Sequence, residues 1–165
     1  MKVCSEWFRL SKEQKDIISQ HHDSFPVKVG SIAKAFGIQV KRSTLSPGIS
    51  GEIKETNGEV IVKINRHDSE ERQRFTLAHE IAHFLLHRDK IGDGIVDTML
   101  FRSSLSNSLE AEANRLAADI VMPFSLIDSE PLSSNLRFEE RVEYLANLSK
   151  LSIPAMEIRL GKKGF

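Results

Sequence analysis

The chain of 165 residues has one cysteine, one tyrosine and one tryptophan. Cys4 cannot form an intramolecular disulfide, and no second thiol exists for a cysteine-rich metal site. No run approaches the roughly 18 uncharged apolar residues of a membrane span. The start, Met1 to Trp7, leads into charged sequence rather than the apolar core of a signal peptide. Neither sign of charge is in excess: 23 Lys and Arg balance 23 Asp and Glu. That balance gives no case for non-specific binding to nucleic acid or membrane. There is no internal repeat and no low-complexity tract. These absences point to a cytoplasmic protein that acts on another protein, with no direct nucleic-acid contact and no membrane.

What remains is ordinary: 40% apolar and 28% charged residues, enough for one domain over 1–165 with a real core. An N-terminal helical arm, 1–25, has helical character over 11–22, and Pro26 breaks it. A short amphipathic stretch around 32–36 stops at Gly37. Residues 38–40 alternate like a strand. The clearest hairpin signal is Asn57-Gly58, between Glu52-Ile53-Lys54 and the alternating Val60, Val62 and Ile64. Charged residues 68–74 open a helix, with Asp68 or Ser69 as cap, that continues to His87. Residues 89–107 read as loop. A second strong helix covers 108–121 and ends at Met122-Pro123. A C-terminal helical part, 131–165, carries helices near 138–149 and 154–160. The class is α+β, mostly helical with a small antiparallel sheet of about three strands.

His79-Glu80-Ile81-Ala82-His83 places two imidazoles one helical turn apart on one face. At that spacing they can grip one zinc ion, with Glu80 beside them toward the metal's open side. Thr76, His79, Glu80, His83 and His87 form a polar stripe. Leu77, Ala78, Ile81, Ala82 and Leu85 cover the other side, so the helix should be buried behind and functional in front. Two incidental histidines on an exposed helix would leave this apolar surround without a purpose.

A catalytic zinc takes three protein ligands and a water. Candidates for the third are Glu110, Glu112 and His87. Glu110 shares a helix face with Ala113, Asn114 and Ala117, and those small residues allow a close approach to the first helix. Asn114 would then be placed to accept a hydrogen bond from a ligating imidazole. Glu112 lies about 160° around the helix from Glu110, which suits a solvated charge. Three histidines in successive turns span about 12 Å, too far to meet one ion on an unbroken helix. His87 therefore suits an outer partner of a ligand, a substrate contact, or a histidine favoured by the helix C-terminus.

Beyond the motif, long stretches resemble the ImmA/IrrE family of metallo-endopeptidases. They are Ile32-Ala33-Lys34-Ala35-Phe36-Gly37-Ile38, Ile64-Asn65, the run from Arg72 through His87, Glu110 through Ala118, Val121-Met122-Pro123, and Leu151 through Leu160. The resemblance extends from about Pro26 to Leu160. It departs at Leu116, where an aromatic is usual, and at Ile120-Val121, which replaces a leucine pair. It implies a cytoplasmic, gluzincin-like fold in which the motif helix packs on a second ligand-bearing helix. It further implies one zinc ion on His79, His83 and Glu110, with Glu80 as catalytic base. Relatives cleave, or act beside, helix-turn-helix repressors, so the resemblance implies a repressor of that type as partner.

The chemistry expected is metal-assisted hydrolysis of a peptide bond, with Glu80 moving the proton. Tyr144 and His87 are candidates for a further donor to the oxyanion, although a lone tyrosine also suits a core position with a hydrogen-bonded tip. The strand near 50–54 or 60–65 could offer an edge to an extended peptide. Two other readings stand beside this one. A zinc-bound antitoxin or scaffold of the same fold would bind a regulator without cutting it. A DNA-binding module is suggested by the helix-turn-helix rhythm of Tyr144 to Ala155, but Arg159, Lys162 and Lys163 make a poor phosphate track, and given the neutral charge a packed helical hairpin is the favoured explanation of the rhythm.

Overall fold

A computed structural model describes residues 1–92, 94–98 and 107–161. Strands β2 (Ile49–Thr56) and β3 (Glu59–Asn65) form the hairpin anticipated around Asn57-Gly58. Both turn residues have positive φ, 53° and 79°, as the tight turn between right-twisted strands requires. Ile53, Val60, Val62 and Ile64 are buried on one face, while Lys54 and Lys63 are exposed on the other.

Among the described residues the sheet has four strands in the order β1-β3-β2-β4, not three, and it is mixed. β1 (Gln39–Ser43) runs parallel to β3. The chain reverses into β2 and again into β3, so β1 and β3 share a direction. β4 (Ile95–Thr98) pairs antiparallel with β2 and lies in the segment read as loop. It is four residues long and follows Gly92 and Gly94, both at positive φ, so it carries no periodic signal. The rest of that segment, 93 and 99–106, falls outside the described residues, as do Lys162 and Lys163. β2 and β3 each have a neighbour on both sides, so neither offers the edge expected of it; among the described residues the edges belong to β1 and β4.

Helix α3 (Glu70–Leu86) is capped by Ser69, whose hydroxyl accepts from the Arg72 amide at 3.2 Å. Every residue from Thr76 to Phe84 is buried. The sheet packs against one side of α3 and α4 (Asn107–Val121) against another, so the polar stripe is buried too, with Thr76 and His79 reaching a cleft. Ala78 and Ala82 on α3, and Ala113 and Ala117 on α4, have no exposed surface. Short side chains at such positions let two backbones approach closely.

α4 ends before Pro123, which caps a further helix, α5 (Phe124–Ser129), that no apolar period announced. α6 (Phe138–Ser149) and α7 (Ile153–Leu160) form a hairpin. Leu145, Ala146, Leu151 and Met156 are buried there, the packed alternative to a DNA-reading pair. Near the N-terminus, a 3-10 helix (Ser5–Arg9) packs on α4, followed by α1 (Lys12–Ser19), which Ser11 and Gln14 close with a capping box. α2 (Val29–Ala35) lies between β1 and α3. No helix among the described residues is long and apolar enough to cross a membrane.

Candidate metal centre

His79 and His83 lie on α3 at the spacing of one turn, and their Nε2 atoms are 3.0 Å apart. Glu110, on the first turns of α4, reaches both: His79 Nε2 lies 3.1 Å from Oε2 and His83 Nε2 lies 3.1 Å from Oε1. All three side chains are buried, and these donor atoms make a group that could hold a metal ion. In a tetrahedral zinc site, ligand atoms about 2.0–2.2 Å from the ion are roughly 3.3 Å from one another. The three separations are close to that spacing. The donor set fits too: two imidazole nitrogens and a carboxylate converge in a dry place, where a shared cation relieves the crowding of their lone pairs.

The opposite nitrogen of each ring is also engaged. Asn114 Oδ1 is 2.9 Å from His79 Nδ1 and accepts its hydrogen, leaving Nε2 bare toward the group. His83 Nδ1 is 3.0 Å from His87 Nδ1, and His87 Nε2 is 3.0 Å from Glu112 Oε2. Burial lowers the pKa of His83, against the opposing pull of the accepting Glu110 carboxylate, and so favours the neutral ring a metal needs.

Two sequence expectations change here. Glu112 is not a solvated charge: it binds His87 and also accepts from Arg9 Nη1 at 2.7 Å. Those bonds, that to His87 foremost, hold its carboxyl below the ordinary range. Helical phase put Glu112 away from Glu110 but could not show what faced it. His87 is not in α3 but caps it, with φ −131°, and this break in the helix turns its ring back toward His83. Tyr144 is placed elsewhere: its hydroxyl donates to Glu130 Oε2 at 3.1 Å, and it does not line the cleft at His79.

Glu80 is fully buried beside β2. An ideal Cβ on Gly51 would come 3.1 Å from Glu80 Oε1 and 2.6 Å from the Thr76 methyl. Only a glycine allows the strand this close. Its position inside a strand was the available sequence signal, since such glycines mark bulges or close backbone approach. The pairing with β4 is indeed irregular between Ile49 and Gly51.

A cleft of about 1130 Å³ leads from His79 along the groove between α3 and α4 to α7. Phe75, Ala118, Met122 and Ile158 give it apolar walls, and Arg72 and Arg115 add positive charge. Cys4 also lines it, but burial, reinforced by Asp119, pushes the thiol up to about 12. The thiol is therefore protonated at neutral pH, which excludes it as a ready nucleophile.

Among known protein families, residues 33–160 match the Peptidase M78 model, described as the IrrE N-terminal-like domain. A comparison with curated proteins found no match.

Proposed function

The chain belongs to the Peptidase M78 family of the IrrE N-terminal-like domain, and from that premise we propose that it is a zinc-dependent endopeptidase acting on a helix-turn-helix transcriptional repressor in the cytoplasm. The observation that carries the enzymatic part is the buried convergence of His79, His83 and Glu110, with His79 also lining a cleft. These three would hold one zinc ion. Bound there, zinc would lower the pKa of a water from 15.7 toward about 7 and polarise the scissile carbonyl.

The chain's own residues do the rest. Asn114 orients His79. Glu80 takes the proton of the attacking water and returns it to the leaving amine. Its burial favours this work, because a carboxylate withdrawn from solvent exchanges its proton with the reacting groups. The apolar walls of the cleft and its arginines hold the peptide, which must be extended to enter. A folded repressor is thus cut in an exposed loop or a locally opened segment. The family membership and the balanced charge of the chain support a protein substrate over DNA.

The test mixes the zinc-loaded chain with a helix-turn-helix regulator encoded beside it, and separately with casein. One defined cut in the regulator, abolished by chelator and by Glu80→Gln with zinc still bound, is the expected result. Stable binding without a cut, with zinc shown to be present, would instead establish the scaffold. Rapid digestion of casein would remove selectivity and leave the peptidase.

A further inference from the structure

The two histidines of the centre are oriented by different means. His79 Nδ1 meets the amide oxygen of Asn114. His83 starts a chain of polar contacts that leaves α3, crosses to α4 and ends on the N-terminal arm: His83 Nδ1 to His87 Nδ1 at 3.0 Å, His87 Nε2 to Glu112 Oε2 at 3.0 Å, and Glu112 Oε2 to Arg9 Nη1 at 2.7 Å. Both rings are buried.

The direction of every hydrogen in this chain follows from its far end. A neutral imidazole has one N–H and one bare nitrogen. Arg9 only donates, which favours an ionised Glu112, and an ionised carboxylate only accepts. His87 must then carry its hydrogen on Nε2. Its Nδ1 is bare and accepts from His83 Nδ1–H. His83 Nε2 is left as a lone pair facing Glu110. The opposing pull is local and strong. Glu110 Oε1 stands 3.1 Å from His83 Nε2 and would draw a hydrogen to that nitrogen, closing it to a metal.

We infer that His87, Glu112 and Arg9 are positioning residues that hold His83 with its hydrogen on Nδ1, so that the site is preset to receive a metal ion. This rests on the metal-binding reading above and concerns affinity rather than cleavage. Arg9 precedes the matched residues 33–160 and reaches the centre through Glu112 and His87.

The experiment uses the full chain, zinc(II) as probe and competition with a chelator, together with nitrogen NMR of the His83 ring in the metal-free protein. Glu112→Ala and His87→Phe should each lower zinc affinity about 10–100-fold, as outer partners of ligating histidines do elsewhere. Glu112→Gln should fall between them and the wild type, because an amide can either accept from His87 or donate to it. The wild-type spectrum should show His83 protonated on Nδ1, and Glu112→Ala should shift it toward the other tautomer. Zinc affinities within about twofold of wild type in folded variants would overturn the relay. So would a wild-type spectrum with the hydrogen on Nε2, a measurement that needs no variant to fold. If the wild type bound no zinc, the metal reading would fail, and the spectrum would still decide the tautomer.

Discussion

One face of α4 carries Glu110, Ala113, Asn114 and Ala117; another carries Glu112, Arg115 and Asp119. On the first, Glu110 and Asn114 reach the histidines of α3, and the alanines are wholly buried between them. On the second, each polar residue meets the N-terminal arm: Glu112 accepts from Arg9, Arg115 donates to Glu6 at 2.6 Å, and Asp119 accepts from the Cys4 amide at 2.7 Å. The positions 112, 115 and 119 recur at helical spacing, so the arm follows one stripe of the helix. The first face is close-packed and mostly buried, with Asn114 at the cleft, and lies within the family match. The second is polar and partly open to solvent, and its partners on the arm lie before the match begins. A single helix thus joins a buried centre to a more exposed support, and the two should respond differently to substitution.

The sharpest separation should come from Glu110→Ala. It is expected to weaken zinc binding beyond the roughly 100-fold limit of outer partners, whereas Glu112→Ala stays within it. Competition with a chelator ranks the two, and a larger effect at 112 would reverse the assignment of the faces.

Crowding on the buried side can be probed from the sheet. Gly51→Ala places a Cβ 2.6 Å from the methyl of Thr76, a β-branched side chain with little freedom to turn. Overpacking of this kind typically costs about 1–3 kcal/mol, read from denaturant unfolding of the metal-free protein. Because Glu80 Oε1 lies beside the same position, turnover on a peptide should fall as well.

The arm side should show its character in pH. Arg115 holds the Glu6 carboxyl down to about 2 from an ordinary 4.5. The folded value is depressed, so this contribution to stability is present above about pH 4.5 and is lost as pH falls toward 2. Glu6→Gln should cost about 1 kcal/mol at neutral pH, a modest figure because Arg115 is half-exposed. The difference from wild type should shrink through that window. A difference that stayed constant from pH 7 to pH 2 would show that shape, not charge, holds the arm.

The smallest effect is expected at Arg9→Ala. Its pair with Glu112 is partly exposed and should contribute no more than about 1 kcal/mol to stability. If zinc affinity falls while stability does not, the arm supports the centre electrostatically. If both are unchanged, the polar face of α4 is independent of the buried one.

Much of the local structure was legible in the chain itself. The 79/83 pair, the small residues at 113 and 117, the Asn57-Gly58 turn and the C-terminal helices are written in spacings of a few residues. Helical period and turn geometry act over those distances, so they need no partner to be read. Glu110 and Asn114 were legible as a pair for the same reason, one turn apart on an alanine face. The arrangement of Glu112, Gly51, β4 and the arm was not. Glu112 has the same composition and exposure signals as any surface acid until His87 and Arg9 are brought to it from 25 and 103 residues away. β4 has no period of its own and exists through its hydrogen bonds to β2. The burial of α3 on both sides follows from the sheet and α4 closing over it, an outcome of packing between distant segments. The sequence by itself determined which side chains stand one turn apart. Only the tertiary structure decided what faces them, because contacts between elements far apart in the chain depend on how whole surfaces pack rather than on the backbone's repeat.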